Sequence, residues 1–206
     1  MLAISAFIYD ETTFAATNAK KSVWSKSYTY EVSKKYVEAA DVLAPVLKSQ
    51  PENQFLLIRL GWLNYLQAKY NESFSYYKKA LELNSDSIDA RLGLTLPLMA
   101  QQRWKETAIY AKEVIAMSAW DFTAHTRLMT CESALQQWAT LEQHATEVAK
   151  RYPSDPSTII FLARAQAMQA KKDQAIANYT LALERSPDNQ EAITYLKSKQ
   201  LKVWIK

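Results

Sequence analysis

Glycine and proline are scarce in this chain of 206 residues, which contains 2 Gly and 6 Pro. Because tight β-turns depend on these two residue types, their scarcity disfavours an all-β fold and favours helices. The two glycines, Gly61 and Gly93, lie far apart in the sequence. Their separation excludes the GxGxxG and P-loop phosphate-binding loops, which need closely spaced glycines.

Cysteine and histidine are also rare. Cys131 is the only cysteine, so no disulfide can form within the chain. His125 and His144 are the only histidines, and together with Cys131 they lack the short ligand spacings of zinc sites. We therefore expect His125 to be a partly buried packing residue and Cys131 a small buried side chain. The sequence predicts neither a metal nor a cofactor.

Catalytic motifs are missing as well. The chain has no HExxH, no GxSxG and no Cys–His arrangement with a third orienting group. We expect Glu132 and Glu142, on predicted helices, to be solvated carboxylates. The net charge is +4, with 25 basic and 21 acidic residues well mixed along the chain, which argues against nucleic-acid binding. An enzyme or a nucleic-acid-binding protein is therefore the less favoured interpretation.

No long hydrophobic run is present. The N-terminal MLAISAFIY is too short to span a bilayer, lacks a basic region before it, and is followed at once by Asp10 and Glu11. We expect no stable membrane span and a cytoplasmic location. A periplasmic or membrane-associated location is expected instead if translation starts upstream of Met1, in which case residues 1–19 are the remnant of a targeting segment.

The chain instead contains a repeat. Apolar residues make up 49% and charged residues 22% of the sequence, which is typical of a folded protein. From Lys20, one constant spacing aligns similar residues without any insertion. Three columns show it best: Leu60, Leu94, Leu128, Leu162 and Leu196; Tyr36, Tyr70, Trp104 and Trp138; and Ala39, Ser73, Thr107, Leu141 and Ala175. Leucine on one helix face and small residues where two helices approach are typical of stacked helical hairpins.

These columns resemble the tetratricopeptide repeat, a helix–turn–helix module of about 34 residues. The resemblance implies an all-α, right-handed superhelix, or solenoid, of about five units, with residues 1–19 outside the repeats and a capping helix at 190–206. The units are 20–53, 54–87, 88–121, 122–155 and 156–189. The family's usual turn glycine is replaced by Ala68, Gln102, Gln136 and Ala170.

Three prolines predict local features of these helices. Pro45 should interrupt the second helix of the first unit, and Pro97 should kink the first helix of the third unit. Pro156 is well placed for the first turn of a helix. The C-terminal QEAITYLKSKQLKVWIK reads as the cap, in preference to a basic amphipathic helix on acidic lipid.

In tetratricopeptide arrays the first helices of successive units line an inner wall that usually holds the ligand. Transferring these wall positions predicts a partner-binding set that is aromatic and apolar toward the N-terminus and more polar, with two arginines able to pair with acidic groups, toward the C-terminus. This set is Trp24, Tyr28, Phe55, Ile58, Trp62, Tyr65, Leu92, Leu96, Met99, Arg127, Thr130 and Arg164. Ile58 and Trp62 replace the Lys and Asn of the family's carboxylate clamp, so binding of chaperone C-termini is not expected.

The resemblance implies a non-catalytic scaffold or adaptor that binds a peptide or helix of a partner protein, whose identity stays open. Large apolar patches on soluble proteins are usually covered, and several occupants are possible. A partner segment is one, and residues 1–19 are another, through Leu2, Ile4, Phe7, Ile8 and Phe14. The aromatics could also pack between units, or one array could stack on another as a homo-oligomer.

Overall fold

The computed structural model describes residues 23–200, and every regular element within that range is an α-helix. The helix α1 is described over residues 23–32. The following helices are α2 (Tyr36–Asp41), α3 (Ala44–Ser49), α4 (Gln54–Leu66), α5 (Tyr70–Leu83), α6 (Ile88–Ala100), α7 (Trp104–Met117), α8 (Phe122–Ala134), α9 (Trp138–Arg151), α10 (Pro156–Met168), α11 (Lys172–Arg185) and α12 (Gln190–Gln200). The predicted all-α class is confirmed. Residues 1–19, including the proposed docking segment, lie outside the described range.

The even-numbered helices from α4 onward begin at the same constant spacing as the columns of the sequence, and a polar residue precedes each one. The side chain at this position accepts a hydrogen bond from the backbone N–H three residues later, which satisfies one of the free donors of the first turn. The capping residues are Asn53, Ser87, Asp121, Asp155 and Asn189.

The turns inside the hairpins keep a left-handed residue without using glycine. Lys34, Ala68, Gln102, Gln136 and Ala170 all have φ between 56° and 58°. This conformation costs a residue with a side chain roughly 1–2 kcal/mol relative to the right-handed region. It places the N–H of Lys69 2.9 Å from the carbonyl oxygen of Asn64, which closes the end of α4. The turns therefore adopt the left-handed conformation at these positions without glycine.

The predictions for Pro45 and Pro156 are confirmed, and the kink at Pro97 stays a prediction. Pro45 lies in the first turn of α3, and residues 42–43 separate α3 from α2, so the predicted interruption is confirmed. Pro156 lies in the first turn of α10, as predicted. Pro97 lies inside α6, which continues past it without a break to Ala100.

Contacts between the described helices form two compact units, each larger than one repeat. The first ends at Gln101 and the second begins at Gln102, and in the description of the structure "first unit" and "second unit" refer to these two. The core of the first unit lies between α2, α3 and α4, around Leu43, Leu56 and Leu63, which are fully buried. The second unit has its core between α8 and α12, in two clusters that include Met129, Leu141, Ile159 and Tyr179. All members of the small-residue column are fully buried: Ala39, Ser73, Thr107, Leu141 and Ala175. The column is thus a buried position in every repeat, and Leu141 is its one bulky member.

The two glycines of the chain lie on either side of one aromatic ring. Tyr77 is 3% exposed, and a Cβ atom built on Gly93 would lie 2.1 Å from its Cε1 atom. A Cβ atom on Gly61 would lie 2.9 Å from Cδ2 of the same ring. Both positions are glycine because α4 and α6 make room for Tyr77 of α5.

A glutamine just after the first helix of a hairpin bonds that helix to the preceding hairpin. Gln67 donates from Nε2 to the carbonyl oxygen of Tyr36 at 3.1 Å, and Gln169 donates to that of Trp138 at 3.2 Å. Gln101, in the same column, donates to Oδ1 of Asn71 at 2.8 Å. Each bond joins the end of one helix to the start of a helix in the preceding hairpin, and so fixes the stacking of neighbouring hairpins.

At the C-terminal end of the described range, α12 packs against α11. Ala192 is fully buried, and Tyr195 and Leu196 pack on the cluster around Tyr179. The capping role assigned to 190–206 remains a prediction, and 201–206 lie outside the described residues. Between residues 23 and 200, no helix has both the length and the apolar character needed to cross a membrane.

Candidate functional site

An aromatic surface forms where α1 and α4 pair in the first unit. Trp24 and Tyr28 lie four residues apart on α1, and Phe55 and Arg59 have the same spacing on α4, so each pair lies on one helix face. The rings of Trp24 and Phe55 have centroids 5.0 Å apart, and the guanidinium of Arg59 lies 3.9 Å from the centroid of Tyr28. Phe55 is 55% exposed and Tyr28 is 45% exposed. We refer to Trp24, Tyr28 and Phe55 as the aromatic surface.

A partly buried ion pair lies beside this surface. Arg59 is buried, its Nη1 atom pairs with Oε2 of Glu31, and its Nη2 atom donates to Oγ of Ser27 at 3.1 Å. Trp62 donates from Nε1 to Oε1 of Glu31 at 2.6 Å. One carboxylate therefore balances the arginine charge and fixes the indole.

The predicted binding set omitted Arg59 and Glu31. A usable signal was present, because Arg59 is the only charged residue in the apolar helix QFLLIRLGWLNYL. A single charge among apolar residues of a core helix indicates a buried ion pair, since an unpaired charge would be costly there. Its partner, 28 residues earlier in the sequence, carries no such signal.

The other predicted residues of the first unit are less exposed than the aromatic surface. Ile58, Trp62 and Tyr65 are half-buried on α4, and the Trp62 ring stacks on Tyr65 with centroids 5.6 Å apart. Three more lie half-buried on α6: Leu92, Leu96 and Met99. The indole of Trp62 is thus held by Glu31 and Tyr65 as part of the scaffold, and the exposed aromatic area lies at Tyr28 and Phe55.

In the second unit, Arg164 is already paired within the chain. Its Nε and Nη2 atoms donate to the two oxygens of Glu191 at 2.9 and 2.5 Å, and Nη1 donates to Oγ of Ser133 at 3.1 Å. Tyr179 donates its hydroxyl to Glu191 at 2.8 Å. Burial raises the pKa of Glu191, but the hydrogen bonds from Arg164 and Tyr179 and the arginine charge outweigh it, and the pKa lies below its ordinary value. An acidic partner group would have to compete with Glu191 for Arg164.

Two further predicted residues lie on α8. Arg127 and Thr130 are half-buried, and the hydroxyl of Thr130 donates to the carbonyl oxygen of Thr126 at 2.8 Å. Because the Thr130 hydroxyl already donates its hydrogen within α8, it can offer a partner only an acceptor oxygen unless this bond is broken. The aromatic members of the predicted set therefore lie in the first compact unit, and Arg127, Thr130 and Arg164 lie in the second.

The two histidines lie together between α8 and α9. His125 is 7% exposed, so it is more deeply buried than the partly buried packing residue that the sequence predicted. Its Nδ1 atom lies 2.8 Å from Nε2 of His144, and Nδ1 of His144 lies 2.9 Å from Oε2 of Glu132. Glu132 is 5% exposed, so the expectation that it is solvated was wrong: His144 gives it a partner inside the protein.

Cys131 is fully buried, as predicted. Burial, aided by the charge of Glu132, raises the pKa of its thiol to about 11, so the thiol stays protonated and unreactive. Across residues 23–200, no group of three or more His, Cys, Asp or Glu side chains is arranged to hold a metal ion. Glu142, the other carboxylate expected to be solvated, is half-buried and paired with Lys171.

Comparison with known proteins supports the fold through structure and not through sequence. No protein-family model matches the chain, and no curated protein matches its sequence. YrrB, described as a tetratricopeptide repeat protein with an unusual peptide-binding site, superposes with a TM-score of 0.71 at 14% identity, over 85% of this chain and 90% of YrrB. A tetratricopeptide repeat protein from Parabacteroides merdae gives 0.77 at 16% identity, over 85% of this chain and 70% of that protein. MamA from Desulfovibrio magneticus gives 0.74 at 15% identity, over 82% of this chain and 96% of that protein.

These similarities, at such low identity, establish the architecture alone. They agree with the column spacing of the sequence, with the helix starts that keep the same spacing and with the left-handed turns inside the hairpins. The chain has the tetratricopeptide repeat fold.

Proposed function

We propose that this chain is a non-catalytic scaffold whose aromatic surface binds an apolar segment of another protein. The observation that carries the proposal is the exposed Phe55 ring, packed on Trp24 beside the exposed Tyr28. Clustered aromatic side chains of this kind are typical of the energetic centres of protein interfaces.

The base of the surface favours binding because it is already ordered. Glu31 holds both Arg59 and Trp62, and Arg59 lies against the ring of Tyr28. Side chains held in place before binding lose little conformational freedom on association, which lowers the cost of complex formation.

The pairing of Arg59 with Glu31 indicates which kind of partner segment the aromatic surface can bind. Arg59 is buried and balanced by Glu31, so the surface presents apolar and aromatic contact area and no unpaired charge. We expect apolar or aromatic anchor residues in the partner, in an extended or helical segment. YrrB, with the same fold, is described as having a peptide-binding site, which supports a peptide as the class of ligand.

Selection from a peptide library against the full chain tests the proposal. Peptides selected by the wild-type chain should bind the Phe55→Ser variant at least about tenfold more weakly, because loss of an aromatic anchor costs on the order of 2 kcal/mol. Ile109→Ser is the matched control, since Ile109 is 56% exposed on α7 of the other unit. Circular dichroism should show all three proteins equally folded.

Equal binding of the selected peptides to the wild-type and Phe55→Ser chains would refute the proposal. A wild-type chain that selects no peptides, and has the mass of a dimer in solution that Phe55→Ser reverts to a monomer, would replace it with self-association. A wild-type monomer that binds peptides only after deletion of residues 1–19 would identify that segment as the occupant of the surface.

A further inference from the structure

The only two histidines of the chain form a hydrogen-bonded series with a buried carboxylate. It runs from the carbonyl oxygen of Ala119, 3.0 Å from Nε2 of His125, through the 2.8 Å contact between the two rings, to Oε2 of Glu132. His125 and Glu132 lie on α8 and His144 lies on α9. We refer to Glu132, His144 and His125 as the histidine chain.

The number of protons that this series needs can be counted from its atoms. The carbonyl oxygen of Ala119 can only accept, so His125 must carry hydrogen on Nε2. One hydrogen must then lie between the two rings and another between His144 and Glu132. The three hydrogen bonds require three hydrogens, whereas two neutral imidazoles supply two.

We propose that the histidine chain is a buried site that binds one proton. A carboxylic acid at Glu132 would complete the same three hydrogen bonds with two neutral rings, but imidazole is ordinarily the stronger base, so we assign the proton to the rings. With this proton, the site consists of one imidazolium, one neutral imidazole and one carboxylate, it is neutral overall, and all three hydrogen bonds are made. Without it, a ring nitrogen lone pair faces an acceptor. With a second one, two N–H groups face each other across 2.8 Å. Each of these states loses one hydrogen bond of the series, and the loss is costly because the site is buried.

Apart from members of the histidine chain and Cys131, no ionisable side chain is among the buried residues of helices α7 to α10. The buried residues of the neighbouring helices are Thr107, Ala111 and Val114 on α7, Leu141, Ala145 and Val148 on α9, and Thr158, Ile159, Ile160, Ala163, Ala165 and Gln166 on α10. Cys131 on α8 keeps its proton. Among the charged groups on α9 and α10, Arg164 is paired with Glu191 and Glu142 with Lys171, while Arg151 lies over the Trp120 ring. Proton uptake therefore falls to the histidine chain itself.

Occupancy of the site is coupled to the surface through Trp120. This residue follows Ala119, is 45% exposed, and its ring centroid lies 5.7 Å from that of His125. Its carbonyl oxygen accepts a hydrogen bond from the Tyr152 hydroxyl at 2.5 Å. A change of charge or position at His125 will alter the environment of the Trp120 ring.

Nitrogen NMR of the histidine rings in the full chain tests the proposal, because only two residues contribute. Long-range proton–nitrogen spectra would be recorded from about pH 8 to about pH 4, across the range in which histidine ordinarily titrates. The expected wild-type result near neutral pH is one imidazolium shared by two coupled rings. A second proton, added at lower pH, should separate the rings and shift the Trp120 indole signal.

The Glu132→Gln variant provides the sharp comparison. A glutamine amide can donate to Nδ1 of His144, so it replaces the third hydrogen and the series is complete with both rings neutral. The imidazolium pattern should therefore disappear from the neutral-pH spectrum. In the control variant Glu142→Gln, which changes a paired carboxylate elsewhere on α9, both ring patterns should remain those of the wild type.

Two neutral, independently titrating rings in the wild-type chain near neutral pH would refute the proposal, even if Glu132→Gln failed to fold. It would equally be refuted if a folded Glu132→Gln chain kept the wild-type imidazolium pattern.

Discussion

At the residue scale, the two glycines of this chain serve close packing. Gly61 and Gly93 lie within helices α4 and α6, in ordinary helical conformation, where glycine is normally unfavourable. They are explained by the ring of Tyr77, which occupies the space that their side chains would need. The helix propensity lost at these positions is offset by burial of a large aromatic ring.

Replacement of Gly93 by alanine should therefore destabilise the protein. The new Cβ would overlap the Tyr77 ring, with an expected cost of about 3 kcal/mol, although alanine is the better helix former. Gly61→Ala, whose Cβ would lie 2.9 Å from the ring, should cost less. Urea denaturation of both variants measures the difference, and a Gly93→Ala protein as stable as wild type would contradict this packing. In the Gly93→Ala background, Tyr77→Leu should cost less than it does in the wild type.

Alignment of the repeats predicts which positions are buried, but it does not predict which side chains form polar contacts with each other. The buried small column from Ala39 to Ala175 was predicted, because its composition repeats with the unit. The pairing of Arg59 with Glu31 could not be predicted in the same way, since Glu31 does not recur at the matching positions of the other units, although Arg59 has a counterpart in Arg127. The same holds for His144 and Glu132, which no spacing rule connects.

At the element scale, hairpins are joined by polar bonds as well as by apolar packing. In the second unit, Arg164 of α10, Tyr179 of α11 and Glu191 of α12 form one cluster. The repeat spacing predicted α10 and α11, and the apolar pattern of the C-terminal stretch predicted α12. Arg164 was assigned a binding role because a surface arginine and a paired arginine look alike until the partner, 27 residues away, is placed beside it.

This cluster predicts a pH dependence of stability. The folded state lowers the pKa of Glu191, so its ionised form contributes stability above the ordinary range of a glutamate, and this contribution is lost as the pH falls through the lowered pKa. Glu191→Gln should reduce stability near neutral pH and flatten the loss on acidification, as measured by urea midpoints at several pH values. Glu184→Gln, at an exposed position beside Arg185, should change neither. A wild-type and a Glu191→Gln protein with parallel pH profiles would contradict the prediction.

At the scale of the whole molecule, the described surface combines few exposed large apolar residues with a mixed charge. They lie on several helices, and Val32, Ile109 and Met168 are the most exposed of them. The aromatic surface differs because its two exposed rings belong to a packed group beside a partly buried ion pair. The predicted wall positions included these residues, but sequence alone could not separate exposed Phe55 from half-buried Trp62 on the same helix.

Substitutions at Phe55 and Trp62 should therefore separate binding from stability. Trp62→Phe removes the indole donor to Glu31 while keeping an aromatic ring, and should cost about 1 kcal/mol of stability. Phe55→Ser should leave the thermal midpoint nearly unchanged and weaken peptide binding. Thermal denaturation monitored by circular dichroism distinguishes the two, and a larger loss of stability in Phe55→Ser than in Trp62→Phe would reverse these assignments.

The space that Gly61 and Gly93 leave for the Tyr77 ring also means that the repeats of this protein cannot be exchanged for one another. The position that meets the ring as Gly93 in one unit is Arg59 in the unit before it. A chain in which unit 54–87 was duplicated in tandem would bring the ring of Tyr77 against an arginine, although both copies would obey the repeat pattern. Shuffling, inserting or deleting whole units would thus break contacts that no single unit encodes, so the order of the copies is itself part of what this sequence specifies.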